Sequence, residues 1–329
     1  MEDILAAWLA DAESSERIAH VESIPARGAI FEDLDPPLPA PLAEALAARG
    51  IGRLYRHQAQ AITRARAGIH TVVVAGTASG KSLGYQVPIA EAALADRKAT
   101  SLLLFPTKAL TQDQYRSLYG LKLTPLVPAV YDGDTDRDTR TWVRKHANTV
   151  LTNPDMLHIG ILPHHVKWAT FLSRLQYVVI DEVHVMRGIF GSHVANVLRR
   201  LRRLAAHYGA EPTFLASSAT IGNPAELAER LVGLPFEQVD QDTSPTGTKH
   251  YVLWNPEKTD DDGGRRSALA EATDVFVDLV RRGQHTIAFT RSRKGTELIY
   301  RWARDRLGPE LGDRIAPYRG GYLAAERRL

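Results

Sequence analysis

The run Ala75-Gly76-Thr77-Ala78-Ser79-Gly80-Lys81-Ser82 joins the end of a β-branched stretch, TVVVA at 71–75, to a helical pattern that opens at 81. Small residues between a strand and a helix let the backbone wrap an anion. Successive N–H groups and the helix N-terminus then supply positive potential where the chain turns. A lysine and a serine at the close of such a loop are suited to the β/γ phosphates of a nucleotide and to Mg²⁺. The spacing therefore assigns Ala75 to Ser82 to phosphate binding, with Lys81 on the phosphates and Ser82 on the metal. Ala75 stands where the usual pattern has glycine, and an ordinary Gly-rich turn is the alternative reading.

The loop sits in a repeating pattern of elements. Apolar runs at 71–75, 101–105, 126–131, 149–152, 177–181 and 212–216 alternate with stretches of helical period at 81–95, 108–119 and 191–208. Apolar strands separated by helices predict right-handed βαβ units and a mostly parallel sheet covered on both faces. A polar segment with Pro and Gly, 239–248, reads as a linker, after which the pattern restarts. That second unit has strands at 250–254, 285–290 and 315–318, helices at 266–282 and 294–306, and a helix start at 323–329. The division is an extension over 1–48, a first domain over 49–238, the linker, and an incomplete second domain over 249–329.

Bulk properties set looser limits. Apolar residues make up 44% and charged residues 24% of the 329, an ordinary globular composition. No apolar run has the roughly 20 residues of a membrane span. The acidic start, Met-Glu-Asp, lacks the order of a signal peptide. The absence of cysteine excludes disulfides and thiolate metal sites within these residues. Together these favour a cytoplasmic protein.

A second acidic motif follows 100 residues after the loop, where YVVIDEVH ends a strand with Asp181, Glu182 and His184. In parallel sheets chemistry collects at the carboxyl ends of strands. Asp181 is placed to hold Mg²⁺ with Ser82, and Glu182 to orient and deprotonate an attacking water. A merely solvated strand end is the alternative for the carboxylates alone; beside the loop they specify nucleotide hydrolysis.

With both motifs in place the chain resembles superfamily 2 helicases, whose motifs occur here in that superfamily's order. LYRHQ (54–58) is similar to the glutamine motif, implying that Gln58 reads adenine; FPTKALTQDQ (105–114), TNPDML (152–157), DEVH (181–184), SSAT (217–220) and AFTRSRKGTE (288–297) resemble motifs Ia, Ib, II, III and IV. More narrowly, residues 181–204 and PYRGGYLAAERR (317–328) resemble the branch of DNA helicases that includes the mitomycin repair factor and the Hrq helicases. The resemblance implies an α/β fold, a RecA-like P-loop domain followed by a truncated second RecA-like domain, with ATP and Mg²⁺ as cofactors. It also implies ATP-driven 3′-to-5′ movement on single-stranded or tailed DNA in repair, in association with the bacterial nucleoid. Motifs V and VI, with the arginine finger, do not occur in these residues. The chain itself is therefore expected to bind ATP but hydrolyse it poorly. An RNA helicase and a non-hydrolysing nucleic-acid scaffold are the rival readings.

Further residues are assigned on the same basis. His184 would couple the ATP site to Ser218 and Thr220. Thr107, Lys108, Gly133, Thr152, Asn153, Arg291, Arg293 and Arg319 would contact the nucleic-acid backbone. Thr107 also reads as an N-cap, Asp132-Gly133-Asp134 as a turn, and Thr152-Asn153-Pro154 as a helix start. The cluster Arg199, Arg200, Arg202 and Arg203 lies opposite an apolar stripe and reads first as a solvated helix face. His164 and His165 lack metal-ligand spacing.

Overall fold

The computed structural model describes residues 2–76, 78–258 and 264–318, and these fall into two compact units. One comprises residues 26–247; the other combines residues up to 25 with those from 248 onward. Thr77, Arg319 and the helix start expected at 323–329 lie outside the described residues.

The chain opens with α1 (Glu2–Ala10), α2 (Ala12–Arg17) and β1 (Ile18–Ile24). The larger unit then runs α3 (Ala40–Ala47), α4 (Arg56–Arg66), β2 (Thr71–Val74), α5 (Leu83–Ala95), β3 (Thr100–Leu104), α6 (Lys108–Tyr119), β4 (Pro128–Val130), α7 (Arg137–His146) and β5 (Thr149–Thr152). It continues through α8 (Pro154–Met156), two irregular helical turns over Leu157–Trp168, and α9 (Ala169–Leu172) to β6 (Leu175–Ile180), α10 (Gly188–His207), β7 (Thr213–Ser218), α11 (Pro224–Val232) and β8 (Glu237–Val239). After β9 (Lys249–Trp254) come α12 (Ala268–Arg281) and α13 (Arg293–Gly312).

Seven strands form one parallel sheet in the order β4-β5-β3-β6-β7-β2-β8. Every residue of β2, β3 and β5 is buried, as strands covered on both faces must be. Val72 and Val74 face one core with α7, α10 and α11, while Leu103, Leu151 and Val179 face the other with α3 to α6. The period-2 alternation of the strands thus separates two apolar layers. Pro128 opens edge strand β4, where its missing N–H costs no central ladder bond. β8 closes the other edge at the start of the segment expected to be a linker.

The smaller unit departs from expectation. Residues 2–24 are not a separate extension, because β1 pairs antiparallel with β9 from Ile18 opposite Trp254 to Ile24 opposite Lys249. Trp8 meets Trp254 edge-on at 5.6 Å between ring centroids, and its indole N–H donates to Asp278 at 2.9 Å. Glu271, buried between these elements, accepts from the Trp254 indole at 2.9 Å and from Arg266 at 2.8 Å. Arg17 of α2 also lies 3.5 Å from Glu271, so the carboxylate ties two remote stretches of sequence into one body. Residues 285–290 and 315–318, expected to be strands, are not strands here. Ile287 and Phe289 are 74% and 87% exposed, since among the described residues no neighbouring strand takes up their backbone groups. Among the described residues no helix is long and apolar enough to cross a membrane.

One glycine fixes how α10 leaves the end of β6. A Cβ at Gly191 would stand 2.4 Å from the backbone oxygen of Met186 and 2.8 Å from its carbonyl carbon, neither of which can yield cheaply. Gly191→Ala is expected to lower the unfolding free energy by about 1–3 kcal/mol. Urea denaturation measures this, and an unchanged midpoint would contradict the packing described.

Candidate ATP site at the carboxyl edge of the sheet

The loops after β6, β7 and β2 emerge side by side, because those strands are neighbours in the sheet. The phosphate loop follows β2 and turns through left-handed conformations at Ala78 (φ 61°) and Gly80 (φ 76°). Gly80 suits its place because a Cβ there would be strained at this φ and would also displace Gln58 Nε2, 2.4 Å away. Ser79 closes the turn by donating its hydroxyl to the Gly76 carbonyl at 2.7 Å.

Lys81 ties the three strand ends together. Its ammonium donates to the Ala75 carbonyl at 3.0 Å and to the Ser218 carbonyl at 3.2 Å, and lies 3.9 Å from Glu182 Oε1. Asp181 is buried just past β6. One of its oxygens accepts from the Ser217 hydroxyl and the other from the Tyr85 phenol at 3.4 Å. Burial raises its pKa, and the Ser217 bond acts against that rise. The Tyr85 phenol is pushed well above its ordinary value by burial and then by the Asp181 charge, so it stays a donor. A buried carboxylate with a serine hydroxyl at the head of α5 is a hard-oxygen donor set, which suits Mg²⁺ carried in with nucleotide phosphates. Asp181 and Ser82 would hold the ion.

Glu182 adopts a left-handed backbone (φ 53°), a strained conformation for a residue with a Cβ, and one that occurs often at functional sites. Its Oε2 lies 3.2 Å from His184 Nδ1, and the same nitrogen accepts the Ala219 N–H at 3.1 Å. One ring nitrogen cannot serve both at once. Protonated, it donates to Glu182; unprotonated, it accepts from Ala219. His184 is thus shared between the Glu182 carboxylate and the segment after β7. Ser218 there is buried, with no partner for its hydroxyl among the described residues, and Thr220 is exposed.

Gln58 is buried, with both ends of its amide engaged. Its oxygen accepts the Tyr55 N–H at 2.9 Å, and its nitrogen donates to the Gly80 carbonyl at 3.1 Å. It braces the phosphate loop against the first turn of α4.

Sequence reasoning misses the residues that complete this brace. Asp242 accepts the Gly76 N–H at 3.0 Å, Thr243 Oγ1 lies 2.9 Å from His57 Nδ1, and His57 Nε2 lies 3.1 Å from the Ser79 carbonyl. His57 is fully buried, and desolvation lowers its pKa. Burial pushes Asp242 up, but the Ser244 hydroxyl and N–H, the Gly76 N–H and Arg27 outweigh it and hold the carboxyl below its ordinary value. Residues 242–246 are therefore no free linker. The Asp-x-Ser spacing at 242–244 is a local signal for an Asx-type turn, and Ser244 donates to Asp242 by both N–H and hydroxyl.

The other half of the carboxyl edge carries the expected backbone-contact loops. Thr107 caps α6 by accepting the Leu110 N–H, and Lys108 pairs with Asp134 at 2.7 Å. Gly133 stands in an open turn between Asp132 and Asp134. Asn153 caps α8 by accepting the Met156 N–H at 2.8 Å. Thr152 is a correction: its side chain is wholly buried and donates to the Tyr131 carbonyl at 2.6 Å, so it supports the 131–135 turn rather than facing a ligand. Arg291 and Arg293 are exposed at the start of α13 in the other unit.

The DEAD/DEAH box helicase family model matches residues 55–227, from the head of α4 to α11. The chain belongs to that family. It is 42% identical to the uncharacterised ATP-dependent helicase YprA of Bacillus subtilis over 97% of its length, and 39% identical to the ATP-dependent helicase hrq1 of Schizosaccharomyces pombe over 94%. It spans 43% and 30% of those two relatives. A crystal structure of the helicase MrfA bound to DNA and AMPPNP superposes on 98% of the chain with a TM-score of 0.90 at 40% identity, the chain covering 46% of it. These relatives belong to the branch that residues 181–204 resemble.

If Asp242 and His57 set the shape of the phosphate loop, Asp242→Ala should weaken Mg·AMPPNP binding by about tenfold, the loss of one charge-assisted hydrogen bond. Asp242→Asn, which keeps an acceptor, should recover most of it. Titration calorimetry measures both, and wild-type affinity in the alanine variant would refute the role.

Proposed function

We propose that this chain carries the ATP-binding part of a motor that hydrolyses ATP to move along single-stranded DNA, 3′ to 5′, in DNA repair. The observation that carries the reading is Lys81, held at the ends of three adjacent strands beside Glu182 and the Asp181–Ser217 pair. With nucleotide bound, Lys81 exchanges the two carbonyls for phosphate oxygens. Ser82 and Asp181 would hold Mg²⁺, which would neutralise charge on those phosphates. Glu182, freed from Lys81, orients and deprotonates the attacking water. His184 then passes the state of Glu182 to Ser218–Thr220 through the Ala219 N–H. Thr107, Lys108, Gly133 and Asn153, and separately Arg291, Arg293 and Arg319, are assigned to contacts with the DNA backbone that take little account of sequence. The resemblance to DNA helicases of the mitomycin-repair and Hrq branch supports DNA over RNA.

Glu182→Gln should keep AMPPNP affinity within about threefold while lowering turnover of the full-length protein by about 10²–10⁴-fold. Lys81→Ala should lose nucleotide binding itself. ATPase assays with DNA and RNA homopolymers check both, and equal stimulation by RNA would displace DNA as the substrate. The 329-residue chain alone should bind ATP but turn it over slowly, since an arginine finger is worth about 10³–10⁵ in rate and its motif does not occur in these residues. Brisk DNA-stimulated hydrolysis by this chain would contradict that.

A further inference from the structure

The arginines on α10 have no place in the ATP site or in the loops just described. Two clefts open along this helix and meet at Asn196 and Arg199. The first, about 610 Å³, lies between α10 and α11 and reaches the loop after β6. The second, about 990 Å³, continues to His70 and Thr213 at the amino ends of β2 and β7, on the edge of the sheet away from the ATP site. Six arginines and one glutamate, Glu211, line the two.

Among the described residues the four arginines of α10 itself are not spent on ion pairs. Arg202 donates to the Val232 and Gly233 carbonyls at the end of α11 and is structural. Among the described residues Arg199 meets only the Asn196 amide oxygen, at 3.2 Å, and Arg200 only His158 Nδ1, at 2.7 Å. Among the described residues neither they nor Arg203 forms a salt bridge, whereas Arg230 beside them pairs with Glu226 at 2.5 Å. Exposed guanidinium groups held near one another without carboxylates repel, and a polyanion relieves that repulsion.

We propose that the α10 surface is a second nucleic-acid site that takes the phosphate backbone of duplex DNA, outside the path of the translocated strand. Guanidinium is suited to phosphate by its fork of donors. Among the described residues the cleft walls present no exposed aromatic side chain, so stacking, the usual basis of single-strand binding, is not on offer. Recognition is left to phosphates, which a duplex presents on both strands. The 20 residues of α10 extend about 30 Å, close to one duplex turn of about 34 Å. The inference rests on the reading of the chain as a DNA-acting protein, but on different residues.

The test is fluorescence anisotropy of a blunt duplex and of a single strand on the full chain, across a salt series. Arg199→Glu with Arg203→Glu, both exposed, should weaken the duplex by about tenfold and lower its salt slope by about two, near 0.9 for each phosphate no longer neutralised. Single-strand affinity and Mg·AMPPNP affinity should stay within about twofold. The milder Arg199→Gln with Arg203→Gln should fall between. Unchanged duplex affinity and slope in both pairs would overturn the proposal, as would poly-glutamate competing as well as duplex. Abolished single-strand binding in Lys108→Ala with duplex binding intact would support it, because the two surfaces would then be separable. Failure of the ATP reading would show instead in the Lys81 variant.

Discussion

The ammonium of Lys81 is the interaction on which the rest of this site depends. A parallel sheet ends with carbonyl groups pointing out of its carboxyl edge, and a buried carbonyl without a partner is costly. Lys81 satisfies one carbonyl from the end of β2 and one from the end of β7, while lying near the carboxylate that follows β6. Since β7 stands between β6 and β2, a single side chain holds three neighbouring strand ends in register. In the proposed cycle the arrangement is also self-releasing. A nucleotide phosphate offers the ammonium better acceptors than two neutral carbonyls, and taking it leaves Glu182 without its cation.

Around this point the carboxyl edge divides by strand order. The loops after β6, β7 and β2 carry the residues proposed for the nucleotide chemistry, and those after β3, β5 and β4 carry Thr107, Lys108, Gly133 and Asn153. The division follows from topology, because each βα loop must emerge where its strand ends. A third layer lies behind the phosphate loop. Asp242, Thr243 and His57 hold Gly76 and Ser79, so the loop is tied to two segments remote in sequence. The braced segment leads directly along the chain into β9.

Strands buried on both faces are the most legible part of the fold. Their Val and Leu runs depend on no partner's identity, and β2, β3 and β5 lie within a residue of where the runs predict. The loop at 75–82 and the Asp181–Glu182 pair stand where their motifs put them, at the carboxyl ends of β2 and β6. What cannot be read are features completed by distant chain. Asp242 looks like a linker residue until Gly76, 166 positions earlier, is beside it. β1 alternates weakly over seven residues and is a strand only because β9 pairs with it. The converse failure is 285–290, whose composition is that of a strand while its apolar side chains stand exposed. Thr152 misleads for a related reason. A hydroxyl at a strand end reads as available until Tyr131 is seen to accept from it.

Nucleotide that enters at Lys81 must tighten a loop braced by two remote segments, and all three should respond as one. Hydrogen exchange of the 329-residue chain with and without Mg·AMPPNP tests this most directly. The amides of 76–82 should gain protection together with 57–58 and 242–244, while those of α12 and β9 should not change. Protection elsewhere, or in the phosphate loop without its two braces, would contradict a nucleotide site built in this way.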